Sequence, residues 1–447
     1  ADMTWTPSSE EGAFNVHKEV EAFLSRHQMH FDLIDWNGET RFLAKQMKAG
    51  LEGVPSSLMM IPSFVMLKRQ IPAGEKTIVV DAGGTNLRVA IACSQQNGEV
   101  ALSQFQKFPM PGTDGALTVD EFFERLSARL EPVLDECDNI GICFSFPCEI
   151  SPERDGKILG FSKEVRITGA EGRMLGESLN RVFVRRGHKT KRITVLNDTV
   201  ATMMGSLAVA KGHRYDNYIG FILGTGTNTC YVESTAKIKK SSAAQALQGE
   251  MVINMESCGY DGFRQGTFDR VLDRESESPG EHKMEKMISG AYQGKLLFLM
   301  IKAAAEEGVL SQEFGAAFVE RGALLPRDVD AFIARPNGDD WLAELTAGNE
   351  EDRSRLYELL SAYYERAARI TAVVFSGIAL YTEVPAGGSM CVMAEGSVFE
   401  KSTLYVKKLT EYIERYLQRE MGISCCILSG ENTTLVGTAV AALTQEA

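Results

Sequence analysis

Residues 77–92 read Thr-Ile-Val-Val-Asp-Ala-Gly-Gly-Thr-Asn-Leu-Arg-Val-Ala-Ile-Ala. Two runs rich in β-branched side chains flank a turn through Gly83 and Gly84, and such side chains suit a pleated sheet. Paired glycines permit positive φ and leave backbone N–H groups uncovered. A concave row of N–H groups is a natural anion cradle. With the Asp81 carboxylate at the strand end and Thr85 and Asn86 beside it, the chemistry points to a nucleotide phosphate together with a hydrated metal ion. The same residues also suit an ordinary Gly-Gly hairpin with a capping Asp.

A second apolar strand pattern, 218–223, runs into Gly224-Thr225-Gly226 and then a further strand at 229–233. Neither turn is followed by Gly-Lys-Ser/Thr, and neither opens a helix as G-x-G-x-x-G does, so the common mononucleotide and dinucleotide loops are disfavoured. Two hairpin turns gripping a triphosphate from opposite sides is the arrangement left. Between them, Asn197-Asp198 ends an apolar strand and starts a helix. Asp198 there fits a helix N-cap. It also fits a general base at the carboxyl end of an open-sheet strand, where ligands bind in α/β folds. Ser145, Lys163, Asn228, Glu256 and Glu285 punctuate apolar stretches. Singly each suits a solvated or locally satisfied group; together they would suit a polyhydroxylated ligand.

These residues need a scaffold. Helical spacing marks two helices over 14–53, followed by strands at 77–82, 87–93 and 99–109 and a helix over 118–135. Strands are expected at 140–146 and 193–196, then a helix from Thr199 to about Lys211. Helices dominate 262–380, with the polar stretch 336–352 expected as a loop. A last strand-turn lies at 392–396, an amphipathic helix at 401–420 and an apolar closing helix at 434–445.

With 447 residues the chain can bury two or three cores. The net charge of −13 speaks against nucleic acid or an anionic membrane as the main partner. Nine cysteines, with no C-x-x-C pair, are expected to be free thiols in a reducing, cytoplasmic compartment. The first residues lack the pattern of a signal peptide, and no apolar run has transmembrane length.

The chain resembles the hexokinase family, including its single-unit glucokinases. Met60-Ile-Pro-Ser-Phe-Val65 resembles Met-Leu-Pro-Thr-Tyr-Val, and Asp81-Ala-Gly-Gly-Thr-Asn-Leu-Arg88 resembles Asp-Leu-Gly-Gly-Thr-Asn-Phe-Arg. Phe144-Ser-Phe-Pro147 is the family's Phe-Ser-Phe-Pro, and Asn197-Asp-Thr-Val-Ala-Thr-Met-Met204 differs from its Asn-Asp-Thr-Val-Gly-Thr-Met-Met at one place. Gly224-Thr-Gly-Thr-Asn-Thr-Cys-Tyr231 and Ile253-Asn-Met-Glu256 follow in family order. The resemblance implies an α/β, actin-like (ribonuclease H-like) fold with two lobes and a central cleft. Residues 76–203 with 436–447 would form the small lobe, and 1–75 with 204–435 the large one. It implies ATP and Mg²⁺, and a hexose phosphorylated at its 6-hydroxyl with Asp198 as base and Lys163 beside it. Ser145, Ser162, Lys163, Asn197, Asn228, Glu256 and Glu285 would hold the sugar. Gly83, Gly84, Thr85, Asn86 and Arg88 would face one side of the nucleotide, and Gly224, Thr225, Gly226, Gly396 and Ser397 the other, with Asp81 ordering waters on the metal.

The chain departs from the family pattern at Phe161-Ser-Lys-Glu-Val165 (Trp-Thr-Lys-Gly-Phe in the family) and at Ser257-Cys-Gly-Tyr260 (Trp-Gly-Ala-Phe). The adenine-side Ser-Thr-Arg stands as Tyr364-Glu-Arg366, and the late Asp-Gly-Ser as Glu395-Gly-Ser397. A monomer or homodimer with hexose and ATP as partners is expected. A hexokinase-like sugar sensor with little catalysis and an actin- or chaperone-like ATPase without a sugar are the alternatives.

Overall fold

The computed structural model describes residues 10–68, 71–161, 165–210 and 213–444. Two sheets carry the architecture. The first orders Arg192–Leu196, Asn139–Phe144, Lys76–Ala82, Asn86–Ser94 and Val100–Pro109. The second orders Ser424–Leu428, Ser389–Glu395, Asn217–Leu223, Thr227–Ser234, Glu250–Asn254 and, at its edge, Ile61–Met66. Both follow one plan. An antiparallel three-strand meander carries two further strands that run parallel on the outer edge of its first strand. The two glycine turns are the first hairpins of the two meanders.

This register fixes where the loops emerge. Asp81 lies opposite Cys143, and Cys143 opposite Leu196, across three parallel strands. The chain segments leaving those strands therefore deliver Gly83, Ser145 and Asn197 at one edge, the carboxyl edge where open α/β sheets bind ligands. In the second sheet Ile222 lies opposite Glu395, so Gly224 and Gly396 emerge side by side.

Two helices join the sheets. Asp198–Val209 packs on the second sheet and Thr433–Thr444 on the first, and the two helices lie against each other. Their crossing is backbone on backbone. A Cβ at Gly437 would stand 1.6 Å from the Ala201 carbonyl oxygen, and one at Gly205 would stand 2.9 Å from that of Thr433. Val200, Met203, Met204, Tyr218, Cys230 and Val440 fill the space around this crossing. The second sheet's other face and the helices of 262–380 bury a much larger core. None of the helices among the described residues is long and apolar enough to cross a membrane.

Most expected elements are present, with instructive differences. The stretch 140–146 ends as a strand at Phe144; the Ser145 N–H makes the last bond to the neighbouring strand, to the Ala82 carbonyl at 3.2 Å, and Pro147 has no N–H with which to continue. The polar 336–352 segment holds a short helix, Trp341–Leu345, and the start of Glu350–Tyr381. Asp340 and Asn349 cap these two, and Leu342 and Ala343 are buried, so local capping chemistry overrode the polar composition. The 401–420 helix divides into Thr403–Ile413 and a π-helical stretch Glu414–Glu420. Strand Ile61–Met66 is unexpected because it contains Pro62; its edge position tolerates the missing N–H.

Because carbonyl oxygen cannot yield to an added methyl group, Gly437→Ala should destabilise the protein by about 2–4 kcal/mol. Gly115→Ala, where nothing lies within 4 Å, serves as the control. A Gly437→Ala melting temperature equal to that of the control would show that the crossing relaxes freely.

Candidate active site

A cavity of about 460 Å³ lies between the two sheets. Six of the expected sugar residues line it: Ser145, Asn197, Asp198, Asn228, Glu256 and Glu285. Ser162 and Lys163 lie outside the described residues.

Asn197, not Asp198, caps the helix. Its side-chain oxygen accepts the Thr199 N–H at 2.9 Å, which leaves Asp198 inside the first turn. Asp198 Oδ1 accepts the Thr199 N–H at 2.7 Å and its hydroxyl at 3.3 Å. Burial pushes the Asp198 carboxyl up to about 6, the bonds from Thr199 oppose this, and the charges of Asp81 and Glu256 add to the rise. A carboxylate so placed is ionised near neutral pH yet basic enough to accept a proton.

The Glu285 carboxylate reaches the second glycine turn, where its Oε2 accepts the Thr227 N–H at 3.0 Å. A Cβ at Gly226 would come within 2.6 Å of that oxygen, so glycine at 226 makes room for Glu285 as well as shaping a loop. Burial raises the Glu285 carboxyl above the usual carboxylate range, opposed by the Thr227 bond. Glu256, Asn254 and Asn228 form a bonded row. Asn228 Nδ2 donates to Asn254 Oδ1 at 2.8 Å, and Asn254 Nδ2 to Glu256 Oε1 at 2.7 Å.

The phosphate-side residues surround three further cavities. Asp81, Gly83, Gly84, Thr85, Asn86 and Arg88 line one of about 260 Å³, together with Lys107. Arg88 pairs with Asp81 through Nε at 2.8 Å and through Nη2, and reaches Thr434 at 3.0 Å. Gly83 does not adopt the positive φ that the paired glycines permit, and nor do Gly224 and Gly226. At Gly83 the missing Cβ leaves the hairpin's face open, since the nearest atom to one would be 3.5 Å away. Thr225 and Ser397 share a cavity of about 330 Å³ with Arg327, Asp330 and Lys401. Gly396 borders another, of about 590 Å³, with Arg88, Glu395, Glu400 and Glu431. Gly224 sits against Gly396 and Ser397, and a Cβ there would be 3.3 Å from the Ser397 nitrogen. The Gly224 and Thr225 carbonyls accept the N–H groups of Gly290 and Ala291, tying the turn to the helix Gly290–Glu306.

Among the described residues no group of three or more His, Cys, Asp or Glu could cage a metal.

The Tyr364-Glu-Arg366 segment does not form an adenine side. Arg366 is buried and pairs with Asp269 through two bonds of 2.7 and 2.8 Å, and Tyr364 is buried between Gln293 and Asp330. A basic residue in a core helix must find a carboxylate, and the helix Thr267–Glu275 supplies one. Lys107, Asn254, His282, Arg327 and Asp330 line the cavities without having been singled out from the sequence. Lys107 lies opposite Arg88 on the neighbouring strand, a pairing that only the strand register decides. A larger cavity, about 800 Å³ between Thr267–Glu275 and Gly290–Glu306, holds none of the expected residues.

Two hexokinase family models match the chain, one over residues 24–208 and one over residues 218–444. The chain belongs to the hexokinase family. It is 26% identical to hexokinase-1 of Schizosaccharomyces pombe, over 97% of this chain and 93% of that protein. It is 30% identical to human hexokinase-1 over 67% of this chain, a match that spans 34% of that longer protein. Among solved structures it is similar to the hexokinase of Schistosoma mansoni complexed with glucose, with a TM-score of 0.75 at 22% identity, over 96% of this chain and all of that one. The fold is accordingly the actin-like sugar-kinase fold of that enzyme family.

The raised Asp198 carboxyl has a sign. In the folded state it holds its proton up to about pH 6, against an ordinary value of 3.8. The resulting stabilisation is present below pH 3.8 and is lost as pH rises through 6, leaving a cost of roughly 2–3 kcal/mol at neutral pH. Asp198→Asn should therefore raise the melting temperature at pH 8 and change it little at pH 4. Equal shifts at both pH values would contradict a desolvated charge at this position.

Proposed function

We propose that this chain phosphorylates a hexose, with glucose the first choice, at its 6-hydroxyl, using ATP and giving hexose 6-phosphate and ADP. The observation that carries this reading is the convergence of Ser145, Asn197, Asp198, Asn228, Glu256 and Glu285 on one cavity, flanked by two glycine turns. In this reading the small lobe comprises 76–203 and 436–447, and the large lobe 1–75 and 204–435.

Carboxylates and amides suit the vicinal hydroxyls of a neutral sugar. Glu256, Glu285, Asn197, Asn228 and Ser145, with Ser162 and Lys163, would hold those hydroxyls. Asp198 accepts the proton of the 6-hydroxyl as its oxygen attacks the γ-phosphorus, and the P–O bond to ADP breaks. Gly83, Gly84, Thr85, Asn86 and Arg88 face the phosphates from one side, and Gly224, Thr225, Gly226, Gly396 and Ser397 from the other. When bound, Mg²⁺ supplies neutralisation of charge on the transferring phosphoryl group, and Asp81 holds its waters. Phosphoryl transfer asks mainly for such positioning and charge balance.

Glucose, mannose, fructose and glucosamine should be screened with ATP, GTP and pyrophosphate. Hexose-dependent ADP release is the expected result, and no turnover with any pair would overturn the reading. Asp198→Asn should lower kcat by about 10²–10⁴-fold while glucose still binds. Because the base must be ionised, wild-type kcat/KM should climb as pH rises through about 6 and then level off. Hexose binding without turnover in the wild type would favour the sensor alternative.

A further inference from the structure

Glu256 lies just beyond strand Glu250–Asn254 at φ 50°, ψ 50°, a left-handed conformation that costs a non-glycine residue on the order of 1 kcal/mol. Both carboxylate oxygens have a donor beside them. Asn254 Nδ2 donates to Oε1 at 2.7 Å, and the Cys258 thiol lies 3.7 Å from Oε2 and 3.8 Å from the Glu256 main-chain oxygen, of which the carboxylate is the stronger acceptor. Asn254 is itself fixed, its Oδ1 accepting from Asn228 Nδ2 and from the Glu256 N–H at 3.1 Å. Asn228 Oδ1 in turn accepts the N–H groups of Thr229 and Ser257.

Cys258 is 9% exposed and lines the same cavity as Glu256 and Glu285. We propose that Cys258 is a positioning residue of the sugar site, its S–H orienting Glu256 Oε2 while Asn254 orients Oε1, so that the carboxylate meets a hexose hydroxyl pair already aimed. The inference rests on the hexose reading of the cavity given above. Burial, with the charges of Glu256 and Glu285, pushes the thiol well above its ordinary range, so it keeps the proton it donates. The family pattern that this segment resembles has glycine at this place, which offers no donor. The contact thus belongs to this chain's own version of the site.

The test is equilibrium glucose binding by calorimetry, without nucleotide, alongside steady-state kinetics on the full chain. Cys258→Ala should weaken binding and raise KM for glucose by about fivefold while kcat stays within about twofold. Cys258→Ser, which keeps a donor, should recover most of the affinity. Alanine and wild-type proteins of equal affinity would overturn the proposal. So would a folded serine variant that binds no better than alanine, and the serine variant decides the matter if alanine does not fold. A wild type that binds no hexose would instead remove the site reading on which the proposal rests.

Discussion

The backbone contact between Asp198–Val209 and Thr433–Thr444 is the constraint on which the rest of the structure depends. Gly437 lies against the Ala201 carbonyl so closely that no side chain fits. One helix is bound to each sheet, so this crossing sets the relation of the two sheets. It also sets the distance between loops that emerge from different sheets. Asp198 begins one of these helices, and Arg88 reaches the start of the other through Thr434. Asp198 and Arg88 are therefore attached to the same joint.

The cleft is crowded with negative charge. Asp198, Glu256 and Glu285 line one cavity, Asp81 lines another, and Glu395, Glu400 and Glu431 border a third. Like charges and burial together raise carboxyl pKa values, and both act on Asp198 and Glu285. A neutral polyol is welcome in such a place, because its hydroxyls donate to carboxylates. An anionic donor is not, unless cations accompany it. Arg88 and Lys107 supply protein charge on one side, Arg327 and Lys401 on the other. A divalent ion on the phosphates would complete the balance.

Much of the candidate site was legible in the residues themselves. Both glycine turns, the Asn197-Asp198 strand end and the two glutamates stand in the chain with their chemistry visible. The role within each motif was less legible. Asn197 takes the cap that Asp198 could have taken, and Gly226 accommodates Glu285, which lies about sixty residues away in the chain. The Tyr364-Glu-Arg366 segment shows the opposite failure. Its Arg366 turned inward to Asp269, a pairing that depends on which helix faces it rather than on its neighbours in sequence.

By itself the sequence determined the kinds of chemistry available: hairpins, helix starts and capping groups are decided by residues a few positions apart. Only the tertiary structure decided which of them share a cavity. The order and register of two sheets placed Asp81, Ser145 and Asn197 at one edge, and the helix crossing brought Glu256 and Glu285 opposite them. Burial did the rest. Whether the Asp198 carboxyl titrates in the ordinary range or near 6 depends on how much water and like charge surround it, and those are properties of the packed chain rather than of any segment.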